Sequence, residues 1–389
     1  MQGFQISYTN AAIGAVIAAN RYLLQTPLGD VSQQVNTYGK KDTLDLDART
    51  EISIREELER FDRRALLITE EKSSRVMPWS IASMNGFNPP VIFVADPTDR
   101  SAPLKKFFSA MPEQSRPVAS AVGTPEICQQ WEKSFSSPAV VSGACSAVTC
   151  LMNGQPICTA IVNYITQDLF VACAAGIRLF KLEAEMTESI TLDRVLREGD
   201  KIEFPAIVDR NVEQMRRFVT FLGKDGYKEN FLQSKLMSEA DMSKHLVYDL
   251  PGGPLRILYL SNLFANDQPM GFVLANGEKI GEWIHWLTCV HFASLEYDRS
   301  EPALKLFEIF QEKPGMKDGI SMAPSPAYSP LSLMPGSSDE YLVDSVRLSC
   351  FENPSKVRAT LMVAPRRNQE VRRLMEQHGY RRIRFPVGE

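Results

Sequence analysis

The first part of the chain contains two stretches in which apolar residues recur with the period of a helix. One runs roughly from Tyr8 to Leu24, and the other runs from Arg49 to Phe61. In the second stretch, four apolar residues fall near one face of the predicted helix: Ile52, Ile54, Leu58 and Phe61. The most apolar part of the first stretch, Ala11 to Ala19, is too short to span a bilayer. No basic segment precedes it, so we expect neither a signal peptide nor a membrane segment.

Two short apolar runs predict β-strands, and each run ends in acidic residues. Ala65 to Ile68 leads into Thr69-Glu70-Glu71. Val91 to Ala95 is rich in β-branched residues, as buried strands are, and it ends in Asp96-Pro97-Thr98-Asp99. The pattern therefore predicts two strands that deliver carboxylates at their ends.

Further strands are predicted between Pro138 and Val171, where Asn153-Gly154 is typical of a hairpin turn. Beyond about Leu182 the pattern changes, and Asn211 to Leu222 predicts a helix.

The last quarter of the chain begins with a segment rich in proline, serine and glycine. This segment, near 315–338, predicts a surface insertion. Ala359 to Val363 then predicts a strand, and Asn368 to Gly379 predicts a basic helix. The arginines from Arg366 to Arg384 are typical of a solvated basic tail, and a patch for an acidic partner is the alternative.

Composition narrows the function classes. Among 389 residues, 44% are hydrophobic and 23% are charged, as in an ordinary soluble α/β protein. The 43 Lys and Arg residues nearly balance the 47 Asp and Glu residues, which disfavours nucleic acid and anionic membranes as partners. The seven cysteines are scattered without zinc-like spacing, so we expect reduced, buried thiols in a cytoplasmic compartment.

The acidic strand ends have the chemistry of a magnesium site. Hydrolysis of a phosphomonoester requires neutralisation of the phosphoryl group and an activated water, and magnesium supplies both through hard oxygen ligands. Glu70 and Asp96 follow predicted strands, and Pro97 constrains the turn so that Asp96, the Thr98 carbonyl and Asp99 can converge. Taken singly, each motif is equally typical of a turn or an acidic surface.

The order of the motifs carries more information than any one of them. Lys41-Asp42-Thr43-Leu44-Asp45-Leu46-Asp47 opens a predicted helix, Glu70-Glu71 follows a short strand, and Asp96-Pro97-Thr98-Asp99-Arg100-Ser101 follows the next. The hairpins of the same pattern are predicted between Val141 and Gly176. Its last strand and helix are predicted between Arg358 and Arg373. This set resembles the inositol monophosphatase superfamily, the magnesium-dependent relatives of fructose-1,6-bisphosphatase.

The resemblance implies a layered α/β/α/β/α sandwich of two closely packed subdomains, 1–185 and 186–389. It implies that Glu70, Asp96 and the Thr98 carbonyl hold a first magnesium ion, and that Asp96 and Asp99 contribute to a second. Asp47 and Ser101 would orient and deprotonate the attacking water, while Arg100 and Ser101 would receive the substrate phosphate. We therefore expect Asp47, Glu70, Asp96 and Asp99 to meet in one cleft.

The sequence also departs from the family pattern. Arg100 stands where the family has glycine, and Pro103 removes an N–H where the family has asparagine. The family's second-domain W-D-x-A-[AG] motif is matched only by Trp283-Ile284-His285-Trp286-Leu287-Thr288-Cys289, which places Leu287 or Thr288 at the ligand position. Glu282 or His285 could substitute, although a hydrogen-bonded core residue is the expectation for His285. One magnesium ion is therefore expected rather than two.

Two functions remain open on the sequence. The first is a weakened magnesium-dependent phosphomonoesterase acting on a small phosphorylated polyol, sugar or nucleotide. The second is a catalytically dead pseudophosphatase that serves as a binding or scaffold module. A homodimer or a protein partner fits either function.

Overall fold

The computed structural model describes residues 3–33, 45–63, 65–69, 91–135, 140, 142–152, 155–183 and 189–202. Further along the chain it describes 218–222, 245–248, 254–255, 272–276, 285, 288–289, 292, 308–312, 360–362 and 380–383. Within these residues the helices are α1 (Gly3–Gln25), α2 (Asp45–Phe61), α3 (Ser101–Ser109), α4 (Pro125–Ser134) and α5 (Leu192–Glu198). No helix in this part of the chain is long and apolar enough to cross a membrane.

Seven strands form one sheet in chain order: β1 (Leu66–Thr69), β2 (Val91–Asp99), β3 (Cys145–Met152), β4 (Gln155–Asn163), β5 (Asp168–Cys173), β6 (Gly176–Lys181) and β7 (Asp200–Lys201). β1 and β2 are parallel, and every later neighbour in this sheet is antiparallel. The predicted hairpin is confirmed, because Met152 pairs with Gln155 on either side of Asn153-Gly154.

Helix α1 packs against one face of this sheet, across β3 and β4. Its contact face consists of small residues, including the fully buried Ala12, Val16 and Ala19, so the helix lies close to the strands. Helix α2 packs beside it, and a Cβ added at Gly14 would lie 3.1 Å from Glu57 Oε1. The helices and this sheet confirm the predicted α/β class.

The buried face of α2 differs from the predicted one. Ile54 and Leu58 are buried, but Phe61 is 42% exposed at the end of the helix, where its ring meets Tyr8 at a centroid distance of 5.1 Å. The N-terminal half of the same face is polar instead, and it buries three side chains that apolar periodicity does not reveal: Asp47, Thr50 and Glu51.

The rest of the described chain contains two small sheets. In the first, β8 (Phe218–Leu222) lies between β9 (His245–Tyr248) and β10 (Phe272–Asn276), all parallel. In the second, β11 (Glu308–Glu312) lies between β12 (Thr360–Met362) and β13 (Tyr380–Ile383), all antiparallel.

These strands confirm one prediction and correct two. The strand predicted at 359–363 is confirmed by β12. The helix predicted for Asn211 to Leu222 is wrong at 218–222, because Phe-Val-Thr-Phe-Leu is paired on both sides and central parallel strands favour continuous β-branched and aromatic runs. Arg381 and Arg382 belong to the paired strand β13, so this part of the basic stretch is a strand rather than a tail. The predicted insertion at 315–338 and the basic helix at 368–379 lie outside the described residues.

The first sheet includes β7, which lies beyond the division implied near residue 185, and the two-subdomain division stays a prediction.

Candidate functional site

The end of β2 contains a β-bulge. Asp96 pairs with Ala147 of β3, and Asp99 pairs with Cys145, so three steps along β2 match two steps along β3. The extra residue falls at Pro97-Thr98, where proline is tolerated because a bulge leaves a backbone N–H out of the ladder. The predicted turn is therefore a continuation of the strand with one residue inserted.

The bulge determines which way the two aspartates face. Residues three apart in a regular strand lie on opposite faces of the sheet. Here Asp96 and Asp99 pair with residues two apart on β3, which share a face, so the bulge brings both aspartates to that same face. Asp96 is only 1% exposed. The face is the one opposite α1, because α1 packs on the face that carries Val148 and Cys150.

Hydroxyl groups of Thr50 and Tyr164 form hydrogen bonds with the bulge residues. Thr98 Oγ1 lies 2.9 Å from Thr50 Oγ1 of α2, and Tyr164 Oη donates to the Pro97 carbonyl at 2.9 Å. Thr50 also donates to the carbonyls of Leu46 and Asp47, so this contact ties the first turns of α2 to the end of β2. Burial raises the pKa of Tyr164, so the phenol stays a hydrogen-bond donor.

Arg100 follows the bulge in a left-handed conformation, with φ 66° and ψ 41°. This conformation favours glycine, the residue that the resembled family has at this position. The Arg100 Nε lies 3.4 Å from Asp99 Oδ2, and Nη1 donates to the Gly143 carbonyl at 3.2 Å. The side chains of Arg100 and Asp99 are 9% and 15% exposed. The guanidinium is therefore held in a largely buried ion pair.

A second group of residues meets the same sheet face as the aspartates through His285. His285, Thr288, Cys289 and Phe292 are helical, and their spacing of three, four and seven residues places them on one helix face. All four are buried, with at most 4% exposure. Thr288, one of the two residues predicted to stand at the family's carboxylate position, is thus a buried hydroxyl. Leu287 and Glu282 lie outside the described residues.

His285 connects this helix face to the sheet. Thr159 Oγ1 donates to the Val148 carbonyl, and Thr149 Oγ1 donates to Thr159 Oγ1 at 2.8 Å. Thr149 Oγ1 therefore accepts the hydrogen bond from His285 Nδ1, at 2.9 Å. The prediction that His285 is a hydrogen-bonded core residue is confirmed.

Cys145 lies beside the acidic pair without adding a reactive thiolate. Burial raises the pKa of the Cys145 thiol well above its usual range, and the carboxylates of Asp99 and Asp96 raise it further, while Arg100 lowers it. The six cysteines that the structure describes are all free, and Cys128 alone of these is half-buried rather than buried. Burial of the other five agrees with the expected buried thiols, and their reduced state stays a prediction.

The predicted site residues are brought together only in part. Asp96, Thr98, Asp99 and Arg100 form the bulge region, Ser101 begins α3, and Asp47 lies one helical turn from Thr50. Glu70 lies outside the described residues. Among the residues that the structure does describe, no three His, Cys, Asp or Glu side chains form a group that could hold a metal ion. The cleft of four carboxylates stays a prediction.

Four contributors to this site were missed by reasoning from sequence. Thr50 and Glu51 lie three and four residues after Asp47, so a search for polar residues at helical spacing would have found them. Tyr164 and Gly143 reach the site only through tertiary contacts, and no local pattern marks them.

Comparisons with known proteins find similarity to solved structures only, at low identity. No protein-family model and no curated protein sequence matches the chain. Among solved structures, CysQ from Bacteroides thetaiotaomicron, a bacterial member of the inositol monophosphatase family, is 13% identical with a TM-score of 0.45, over 74% of this chain and 87% of that one. An inositol monophosphatase from Anabaena is 12% identical with a TM-score of 0.44, over 95% of both chains. Another, from Zymomonas mobilis, is 11% identical with a TM-score of 0.45, over 97% of this chain and all of that one.

Proposed function

We propose that this protein is a weakened phosphomonoesterase of the inositol monophosphatase type that works with one magnesium ion. Its substrate would be a small phosphorylated polyol, sugar or nucleotide. The observation that carries the proposal is the bulge at Pro97-Thr98, which turns Asp96 and Asp99 to one face of the sheet beside Arg100. Two carboxylates and a guanidinium at one strand end suit phosphoryl chemistry, which depends on charge neutralisation and positioning.

The donors fit one magnesium ion. The Asp96 carboxylate and the Thr98 carbonyl are the hard oxygen ligands that magnesium prefers. Glu70 would be the third ligand, because it directly follows Thr69, whose partner in the sheet is Ala95, the residue before Asp96. Such an ion neutralises phosphoryl charge and lowers the pKa of a bound water.

A second ion does not fit these residues. Two divalent ions about 4 Å apart repel by about 16 kcal/mol at an effective dielectric constant of 20. Shared carboxylates normally offset this repulsion, but Asp99 already pairs with Arg100, and a buried hydroxyl stands at Thr288. We therefore derive no step that uses a second ion.

The remaining roles belong to the chain's own residues. We propose that Asp47 and Ser101 orient the attacking water and take its proton. Arg100 and the backbone N–H of Ser101 would bind the phosphate, and Arg100 would supply the positive charge that the second ion provides elsewhere. The start of α3 offers one backbone N–H fewer to the phosphate, because Pro103 has no N–H group.

The second candidate is a pseudophosphatase that binds a ligand or a partner without catalysis. The largely buried pair of Arg100 and Asp99 favours it, because a guanidinium fixed on Asp99 both withholds a ligand from metal and limits access of phosphate. A homodimer or a protein partner is compatible with this candidate as it is with the first. For both candidates we propose a cytoplasmic location, which the free described cysteines support.

Phosphate release from a panel of sugar, inositol and nucleotide phosphates, titrated with magnesium, tests the proposal. We expect slow release that magnesium saturates as a single class of site. Asp96→Asn should lower release by about 100-fold or more, in the range of losing one group that stabilises transition-state charge. Asp193→Asn, at an exposed carboxylate on α5, is the matched control and should leave release unchanged.

Absence of release at every magnesium concentration would favour the pseudophosphatase. Rapid release with a two-ion dependence on magnesium would overturn the one-ion proposal.

A further inference from the structure

Arg100 is held at both its backbone and its side chain. The backbone adopts the left-handed conformation, which is unfavourable for a residue with a side chain. The guanidinium bridges the Asp99 carboxylate and the Gly143 carbonyl, which lie on different segments of the chain. The side chain is thus fixed at a defined position by an acceptor on each side.

The Gly143 carbonyl is itself fixed. Gly143 has φ 116°, and an added Cβ would lie 2.5 Å from Asn163 Oδ1, so no other residue fits there without a shift. The Asn163 amide donates to the Ser142 carbonyl at 2.9 Å and accepts from the backbone N–H of Ile165. This arrangement makes the Gly143 carbonyl a rigid acceptor that holds the guanidinium beside Asp99.

A divalent cation and this guanidinium would compete for Asp99. A guanidinium and a divalent ion about 4 Å apart repel each other strongly at the effective dielectric constant of a largely buried site. The guanidinium must therefore leave Asp99 before a cation takes that carboxylate as a ligand. A phosphate group offers the guanidinium the same two-pronged geometry as a carboxylate, with more negative charge.

We propose that the pair of Arg100 and Asp99 is a latch that a phosphate group opens. This inference rests on the proposed function, because it assigns regulation of the same site. When phosphate draws the guanidinium away, Asp99 becomes available as a further ligand of the one magnesium ion, so phosphate and magnesium bind more tightly together than separately. By linkage the effect is reciprocal, and magnesium tightens phosphate binding by the same factor.

Calorimetric titration of magnesium, with and without inorganic phosphate, tests the latch without measuring turnover. In the wild type we expect phosphate to tighten magnesium binding by at least about 5-fold, the lower end of typical coupling between sites. Arg100→Gly should bind magnesium more tightly than the wild type when phosphate is absent. The factor by which phosphate tightens magnesium binding should be at least about 5-fold smaller in Arg100→Gly than in the wild type. In the variant, only direct attraction between bound phosphate and magnesium remains to couple them.

Glu113→Gly is the matched control. Glu113 also has a left-handed backbone, with φ 57°, but its side chain is exposed and pairs with the exposed Arg116. This variant relieves the same kind of backbone strain and should keep the wild-type response to phosphate. Arg100→Gly is expected to fold, because glycine adopts φ 66° without strain.

Three outcomes would overturn the latch: equal responses to phosphate in the wild type and Arg100→Gly, magnesium binding that Arg100→Gly leaves unchanged or weakens, or no effect of phosphate in the wild type. The last of these needs no variant. Linkage without any phosphate release would retain the latch and reject the phosphomonoesterase. Release without linkage would reject the latch alone, and a wild type that binds neither magnesium nor phosphate would reject both.

Discussion

Two regions that lie on the same face of the large sheet differ sharply in what they bury. The end of β2 buries charge, with Asp96, Asp99 and Arg100 around a bulge. The helix face formed by His285, Thr288, Cys289 and Phe292 buries hydroxyl, thiol, aromatic and imidazole groups and no carboxylate. The resembled family would place a metal-ligating carboxylate in the second region to meet those in the first.

The difference follows from the energetics of buried charge. A buried carboxylate is tolerated when a cation or several donors pair with it, and it is costly when none does. In the first region Arg100 supplies a cation that pairs with Asp99. In the second region a hydroxyl at Thr288 is less costly to bury than a charge. The cost of burying charge thus accounts for the different composition of the two regions.

The largest effect is expected when a carboxylate is returned to the second region. Thr288→Asp should lower the free energy of unfolding by about 3–5 kcal/mol, the range for an uncompensated buried charge. Chemical denaturation followed by circular dichroism measures it. The combined Thr288→Asp and Arg100→Gly variant should recover part of the loss when magnesium is added, and Thr288→Val serves as the uncharged control. A Thr288→Asp protein as stable as the wild type would show that the two regions are not coupled through charge.

A smaller effect is expected from the hydroxyl network behind the bulge. Tyr164→Phe should lower the free energy of unfolding by about 1–2 kcal/mol at neutral pH, because the buried Pro97 carbonyl loses its donor. Tyr8→Phe removes a similar bond, from Tyr8 Oη to Asp62 in a half-buried position, and should cost less. A larger loss in the control than in Tyr164→Phe would contradict the role assigned to the network.

The same substitution predicts a change in pH dependence. Burial raises the folded-state pKa of Tyr164 above its unfolded value of about 10. The contribution of this group is therefore complete below about pH 10 and is lost as the pH rises above it, because only the unfolded chain ionises. Tyr164→Phe should lose less stability above pH 10 than the wild type does. Parallel stability curves for the two proteins would reject this assignment.

The smallest effect is expected from Glu113→Gly, which measures the contribution of a left-handed backbone without the charge of Arg100. Glu113→Gly should change the free energy of unfolding by less than about 1 kcal/mol, because relief of the left-handed conformation is offset by the entropy of glycine and the loss of an exposed ion pair. Thermal unfolding measures it. A loss of several kcal/mol would mean that glycine at a left-handed position changes stability strongly by itself. The effect of Arg100→Gly could then not be attributed to the lost charge.

Local pattern was enough to predict the elements that carry the candidate site. The β-branched run Val91 to Ala95 and the acidic residues after it predicted β2 and its functional end, and Asn153-Gly154 predicted the hairpin between β3 and β4. These signals succeed because period and turn chemistry act over a few neighbouring residues. Glu70 was predicted by the same reasoning, and its position stays a prediction.

Features that depend on distant partners were not predicted. The bulge is defined by the register of β2 against β3, which lies some fifty residues later in the chain. The strand at 218–222 was predicted as a helix because its apolar run is compatible with both, and its two neighbouring strands decide the outcome. The polar stripe of Asp47, Thr50 and Glu51 is buried by contact with β2, where apolar periodicity gives no signal.

The left-handed backbone at Arg100 has an evolutionary consequence. Every arginine codon can be converted into a glycine codon by changing its first base, and the backbone at this position already has the conformation that glycine prefers. The exchange therefore requires no compensating change elsewhere in the main chain. Selection can move this position between a side chain that holds Asp99 and no side chain at all in one mutational step, whereas restoring a carboxylate to the helix face of Thr288 must first tolerate a buried charge.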